Sequence, residues 1–141
     1  ALDEIFDEDL AKGAAAEASS TRSRRYSAEN LIDNDYDSYW AAKDGARQAS
    51  ISLEFDTPET FNRVQLQEYI PLGQRVAEFN LEIMDEAGNW KKIADATTIG
   101  YKRIVLTDMV TAKALRVNIT EALATPILNS ISIYRDDIYQ R

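Results

Sequence analysis

From residue 50 onward, apolar side chains fall at every second position. Ile51, Leu53 and Phe55 alternate with Ser52 and Glu54, Val64 and Leu66 with Arg63, Gln65 and Gln67, and Phe79, Leu81 and Ile83 with Asn80 and Glu82. The alternation returns at Ile104 and Leu106, at Leu115, Val117 and Ile119, and at Ile131 and Ile133. Successive side chains of a strand point to opposite faces, so a period of two predicts half-buried antiparallel strands. Turn-forming residues separate the runs, at Asp56-Thr57-Pro58, Glu86-Ala87-Gly88-Asn89 and Thr125-Pro126. Short alternating strands at this spacing predict an all-β fold of the sandwich type.

The first residues follow another period. Leu2, Ile5, Phe6 and Leu10 recur at helical spacing among acidic residues, which predicts a short amphipathic connector helix within residues 1–12. "KGAAAEASSTRSRR" then breaks the pattern with Gly13 and small residues, as suits an edge strand running into a loop. The expected organisation is a linker helix over 1–12, a sandwich over 13–136 and a tail over 137–141.

Composition removes several chemistries. The chain has 141 residues, enough for one domain that buries about 70% of its unfolded surface. It contains no Cys and no His, so disulfides, zinc-thiolate sites, thiol nucleophiles, the Ser-His-Asp triad and histidine-ligated metals are excluded. With 24 acidic and 16 basic residues the net charge is −8, which opposes a phosphate backbone or an anionic membrane surface. No apolar run approaches the roughly 20 residues of a membrane span. The opening "ALDEIFDEDL" is acidic where a signal peptide is basic, so an export signal is expected outside this sequence.

The stretch "DNDYDSYW", Asp33 to Trp40, invites comparison with a calcium loop. Asp33, Asp35 and Asp37 fill positions one, three and five of an EF-hand, but Ser38 stands where the glycine belongs and Asp44 where the bidentate glutamate belongs. Strand patterns flank it in place of helices. Two readings remain: a hard-cation site completed by backbone carbonyls, or a turn held by Asx side chains and anchored by Trp40 in the core.

"NLIDNDYDSYWAA" also resembles the acidic loop of discoidin-like domains, the coagulation-factor C-type sandwiches. "FNRVQLQEYIPLGQRVAEFNLEIMDEAGNWKKIADATTIGYKRI" resembles the sandwich that follows the catalytic barrel of α-L-fucosidases in glycoside hydrolase family twenty-nine. The similarity runs from about Leu10 to Tyr134, and "LQEYIPLGQRV" and "TTIGYKRI" are its most specific strings. The resemblance implies an antiparallel, discoidin-like β-sandwich of the jelly-roll, galactose-binding-domain-like kind. It implies a non-catalytic accessory domain in a periplasmic or secreted glycosidase whose nucleophile and acid/base belong to the barrel. It also implies a structural calcium held by Asp33, by Asp35 through its backbone, and by Ser38. The acidic ligand that such domains often carry in the last strand falls here on Ser130, which removes a charge and weakens the site.

Two segments set an aromatic beside basic residues: Tyr69 with Arg75, and Tyr101 with Lys102 and Arg103. An aromatic ring covers the C–H face of a pyranose while Arg, Lys and Glu68 bond its hydroxyls, so these six residues are the candidate carbohydrate site. The competing reading pairs Glu68 with Arg75 or Arg103 as a structural cluster at the sandwich rim. Trp90 is expected in the core or packed on a hairpin. Asn118-Ile119-Thr120 matches a glycosylation acceptor but falls in a strand. No residue is marked as a raised-pKa acid beside a nucleophile, so the chain is not expected to catalyse alone.

Two functions follow. In one, the domain binds a glycan or terminal sugar weakly and targets a fucosidase to it; in the other, it docks on the catalytic barrel and stabilises it. The absence of His and of any aromatic cluster beyond single tyrosines weighs against the first. The isolated domain is expected to be a monomer, with no nucleic-acid or membrane partner.

Overall fold

The computed structural model describes residues 9–33 and 37–136. Seven strands account for most of it: β1 (Ala15–Ala18), β2 (Trp40–Ala41), β3 (Ala49–Glu68), β4 (Val76–Met84), β5 (Trp90–Thr97), β6 (Arg103–Ala122) and β7 (Ile127–Tyr134). Every pairing is antiparallel.

β3 and β6 are each 20 residues long and run through both layers. The first half of β3 pairs with β1 on one side and with residues 114–119 of β6 on the other, and that half of β6 carries β4, which carries β5. The second half of β3 pairs with residues 103–112 of β6 and with β7, which carries β2. The outcome is the expected antiparallel β-sandwich, its two sheets hinged on the same two strands.

The expected turn at Asp56-Thr57-Pro58 does not reverse the chain. It lies inside β3, where the register slips between Glu54 and Glu59 while their partners on β6 move only from Ala114 to Ala112. Extra residues on one strand form a bulge that bends it, and Pro58, with no amide to donate, is tolerated there. A second slip, between Phe61 and Arg63, whose partners move from Val110 to Leu106, accompanies the change of inward phase: Ala49, Ile51, Leu53 and Phe61 are buried before it, Val64, Leu66 and Glu68 after it. One core joins both layers, with Trp40, Phe61, Phe79, Leu81, Leu115 and Ile131 almost wholly buried. Each such side chain contributes about 1.5–3 kcal/mol by leaving water. Trp40 anchors the acidic loop as expected, and its indole N–H donates to the Ser20 carbonyl at 3.1 Å.

The N-terminal expectation is corrected where it can be compared. Residues 1–8 lie outside the described residues, and residues 9–13 form a turn in place of a helix. The Asp9 carboxylate accepts from the amides of Ala11 and Ile133, and the Leu10 amide donates to the Ile133 carbonyl. These bonds tie the segment to β7, and buried Ala11 joins the core. Burial pushes the Asp9 carboxyl above its ordinary value, with the two amides and Lys12 opposing. Residues 15–18 form the edge strand the small-residue stretch predicted. The expected tail, 137–141, lies outside the described residues.

Trp90 is half-buried on the outer face of the first layer, and not in the core, with the Arg116 guanidinium 3.9 Å above its ring. Arg116 also donates twice to Glu82, at 2.7 and 2.9 Å, and Asn118 donates to the same oxygen. Burial raises the Glu82 carboxyl, but the bonds from Asn118 and Arg116 outweigh it and hold the group below its ordinary value.

Candidate functional site

Where β3 ends, the chain leaves the sheet and two loops open a cleft of about 540 Å³. Tyr69, Ile70, Pro71 and Tyr101 line it together with the polar residues Gln67, Lys102, Asp37 and Asn129. Of the six residues predicted from sequence, Glu68, Tyr69, Tyr101 and Lys102 line this cleft, whereas Arg75 and Arg103 are not among its lining residues.

Glu68 organises the floor. It is only 2% exposed. Its Oε1 accepts the amides of Arg75 at 2.6 Å and Val76 at 3.0 Å, and its Oε2 accepts the Gly100 amide at 2.8 Å. The Glu68 amide returns a bond to the Gly100 carbonyl at 2.9 Å. A buried carboxylate is tolerated when its lone pairs are filled, and here backbone dipoles fill them. The expected pairing with the guanidinium of Arg75 or Arg103 is therefore corrected: Arg75 meets Glu68 through its main chain. Its guanidinium donates to the carbonyls of Leu72 and Thr125, at 3.2 and 2.9 Å, and staples two loops together. Arg103 begins β6 opposite Leu66 and is half-buried.

The loop that meets Glu68 is bent by unusual backbone. Thr98 has φ of 38° and Gly100 of 70°. A Cβ at Gly100 would also sit 2.8 Å from Gln74 Nε2, so only glycine turns its amide toward Glu68 without displacing a neighbour. This geometry sets Tyr101, 72% exposed, and Lys102 over the mouth of the cleft.

Sequence reasoning missed an aromatic column behind Tyr69. Tyr39 packs against Tyr69 with ring centroids 4.5 Å apart and stacks on Tyr26 at 5.0 Å. The guanidiniums of Arg22 and Arg25 each lie 5.7 Å from the Tyr26 ring. Burial and a hydrogen bond with Tyr26 raise the Tyr39 hydroxyl above its ordinary value. The three rings come from separate loops, so no local pattern announces them.

The acidic loop is a hydrogen-bonded turn across its described residues. Ser38 Oγ donates to Asp33 Oδ2 at 2.7 Å, and the Asn30 side chain donates to the carbonyls of Arg25 and Tyr39. Asn129 of β7, one position before Ser130, reaches this loop, and its side-chain Nδ2 donates to the Ser38 carbonyl at 3.0 Å. Asp35 lies outside the described residues. Asp33 and Ser38 thus bring two oxygens together for a cation, but among the described residues no group of three or more His, Cys, Asp or Glu side chains converges. That set fits one edge of a calcium shell and falls short of the six to eight oxygens calcium takes.

A two-layer antiparallel sandwich with its polar and aromatic groups gathered in loops at a strand end is a module of the discoidin-like class. The chain belongs to the F5/8 type C domain family, whose model matches residues 15–132. It is 30% identical over 94% of its length to alpha-L-fucosidase 1 of Arabidopsis thaliana, of which it covers 27%. Among solved structures, it superposes with a TM-score of 0.88 on a GH29 fucosidase of Ruminococcus gnavus in complex with fucose, at 26% identity, covering 98% of this chain and 29% of that one. The family 32 carbohydrate-binding module of C. perfringens NanJ, solved with galactose, shares the fold at a TM-score of 0.78 and 14% identity, covering 86% of this chain and 93% of the module. The chain therefore spans under a third of the fucosidases it resembles and nearly all of the binding module. Among the described residues, no helix is long and apolar enough to cross a membrane.

Proposed function

We propose that this chain is the non-catalytic, carbohydrate-binding accessory domain of a secreted or periplasmic α-L-fucosidase, and that it holds the parent enzyme near its glycan. The observation that carries the reading is the cleft itself: Tyr69, packed on Tyr39 and through it on Tyr26, lines it together with residues that carry amide, ammonium and carboxylate groups. A ring covers the apolar face of a pyranose, and the polar groups satisfy its hydroxyls. Glu68, the deepest carboxylate, is committed to three amides, which leaves it a scaffold role in place of acid or nucleophile. Millimolar affinity, about 4 kcal/mol, suffices when a short tether raises the effective sugar concentration. A glycan array on the 141-residue chain, followed by titration of the best sugar against Tyr69→Ala, tests this. Retained binding in Tyr69→Ala would move the site elsewhere, and release of nitrophenol from an aryl fucoside by the chain alone would overturn its non-catalytic role.

A second reading rests on a different face. Ile104 and Leu106 of β6 are 46% and 43% exposed on the outer side of the second layer, as suits docking on a catalytic barrel. Docking and sugar binding use different surfaces, so the domain can do both. Ile104→Asp in the parent enzyme should lower its melting temperature while leaving glycan binding unchanged. For the acidic loop we propose a weak structural calcium site through Asp33 and Ser38, since one formal charge gives low affinity.

A further inference from the structure

The free strand edges of the sandwich are protected in different ways, and one of them lies open among the described residues. Native sheets blunt an edge by keeping it short, by placing lysine on it or by covering it. β1 and β2 are four and two residues long. β5 carries exposed Lys91 and Lys92. The side of β7 away from β3 is tied to residues 9 and 10, whose carboxylate and amide bond the main chain of Ile133. β6 has none of these devices at its start. Residues 103–106 pair with β3 on one side, whereas β4 joins β6 only from Ala114 to Ala122, so among the described residues no strand takes up the other side. The two side chains that point outward there are Ile104 and Leu106, 46% and 43% exposed. Arg103 alternates with them and is half-buried, and its Nε is buried without a hydrogen-bond partner. Folded chains seldom leave such a donor unmet.

Both described ends of the chain lie beside this edge. Ile133, which holds residues 9 and 10, pairs with Val64; Asp136 exchanges bonds with the Asn62 side chain at 2.8 and 2.9 Å; and Arg63, between Asn62 and Val64, pairs with Leu106. Neighbouring strands are about 5 Å apart, so either end is within about three strand spacings of Leu106. Further chain joined at either end is tethered at this edge, at high effective concentration. The domain spans 27% of the Arabidopsis fucosidase and 29% of the Ruminococcus one. From the open edge, its two apolar side chains and the unmet Arg103 we infer that an extended segment from the rest of the parent fucosidase adds to the sandwich as a further strand along residues 103–106 of β6, with apolar side chains on Ile104 and Leu106 and a carboxylate or carbonyl oxygen at Arg103. The inference rests on the docking reading above and names the edge and the manner of contact.

Hydrogen exchange compared between the 141-residue chain and the parent fucosidase tests it. Residues 103–107 should exchange at least about tenfold more slowly in the parent, because amides paired to a partner strand open only with it. Ile104→Asp with Leu106→Asp should remove that protection and lower the Tm of the parent, while the isolated chain, where both side chains are exposed, should melt within about 2 °C of wild type. Arg103→Met should lower the Tm of the parent and leave that of the isolated chain unchanged or higher, since only the parent supplies the acceptor; an equal fall in both would place the acceptor inside the domain and overturn that contact. Equal exchange of 103–107 in both proteins, with a parent Tm that still falls in the double variant, would overturn strand addition and leave docking standing. Equal exchange with no such fall would overturn both. Slow exchange already present in the isolated chain would also overturn the inference: a light-scattering mass of two chains would then make a second copy the occupant, and a mass of one chain the domain's own ends.

Discussion

Replacing Glu68 tests what holds the cleft in shape. Three backbone amides converge on its carboxylate at 2.6, 2.8 and 3.0 Å, and the residue is 2% exposed. Hydrogen bonds to a charged group contribute about 1.5–3 kcal/mol each, but the three are coupled and water from the open cleft can reach part of the exposed main chain. Glu68→Ala should therefore cost roughly 3–5 kcal/mol, not the sum of three separate bonds. Glu68→Gln is more discriminating. Its carbonyl oxygen still receives the Arg75 and Val76 amides, while its NH2 is set against the Gly100 amide, a donor facing a donor, at roughly 2 kcal/mol. For a chain of this size each kcal/mol moves Tm by about 2–4 °C, so the order wild type, Gln, Ala should appear as falls of roughly 4–8 °C and roughly 6–20 °C. Circular-dichroism melts give the order, and amide exchange at Val76 and Gly100 shows whether the loss is local. A Glu68→Gln protein that melts within about 1 °C of wild type, with Gly100 still protected, would refute the argument that the carboxylate ties the loops together.

Tyr39→Ala removes both ring contacts of the column and should cost roughly 2–4 kcal/mol and weaken any sugar bound at Tyr69, while Tyr39→Phe keeps the stacking and should retain most of both. Because the Glu82 carboxyl lies below its ordinary value of 4.5 in the folded chain, its contribution is present above that value and is lost as pH falls through the folded value. Glu82→Gln should accordingly flatten the acid limb of a stability-against-pH curve; an unchanged limb would place acid sensitivity elsewhere. Asp9, raised by burial, acts with the opposite sign, its cost being relieved on acidification. Millimolar calcium should raise Tm slightly through binding to the native state, and Asp33→Ala should abolish that rise; a rise that survives the substitution would rule out this loop as the site.

The strands were legible because their signal is local. Alternation at 51–53, 64–66, 79–83 and 115–119 reports which side chains enter the core, and Ile51, Leu53, Val64, Leu66, Phe79, Leu81, Ile83, Leu115, Val117 and Ile119 are the buried ones; Phe55 is only half-buried, and the expectation at Ile104 and Leu106 is corrected, since Val105 between them turns inward and leaves both exposed. The same signal could not say that 51–55 and 63–67 belong to one strand. Asp, Thr and Pro at 56–58 report main chain that is exposed and unpaired, a condition shared by a reversing turn and by a bulge where a strand crosses between layers. The hairpin at 85–89 was read correctly because its chemistry is self-contained: Asp85 caps the amides of Ala87 and Asn89 within the turn.

At the cleft, the residue types were legible and their partners were not. Pairing Glu68 with a nearby arginine is what charge alone suggests, but a carboxylate at the end of a strand competes for every donor within reach, including backbone amides that no sequence displays. Left-handed backbone at Thr98 and Gly100 brings one such amide to it, and the Arg75 main chain brings another. Arg75 is then left to hold two loops by their carbonyls, and Tyr69 is buttressed by rings from two other loops that only the folded chain assembles. Substituting a residue of this site therefore acts through the frame as readily as through the ligand. A loss of sugar binding identifies a contact only where the melting temperature holds, and that condition favours the exposed Tyr101 and Lys102 over Glu68 or Arg75 as probes of the bound sugar.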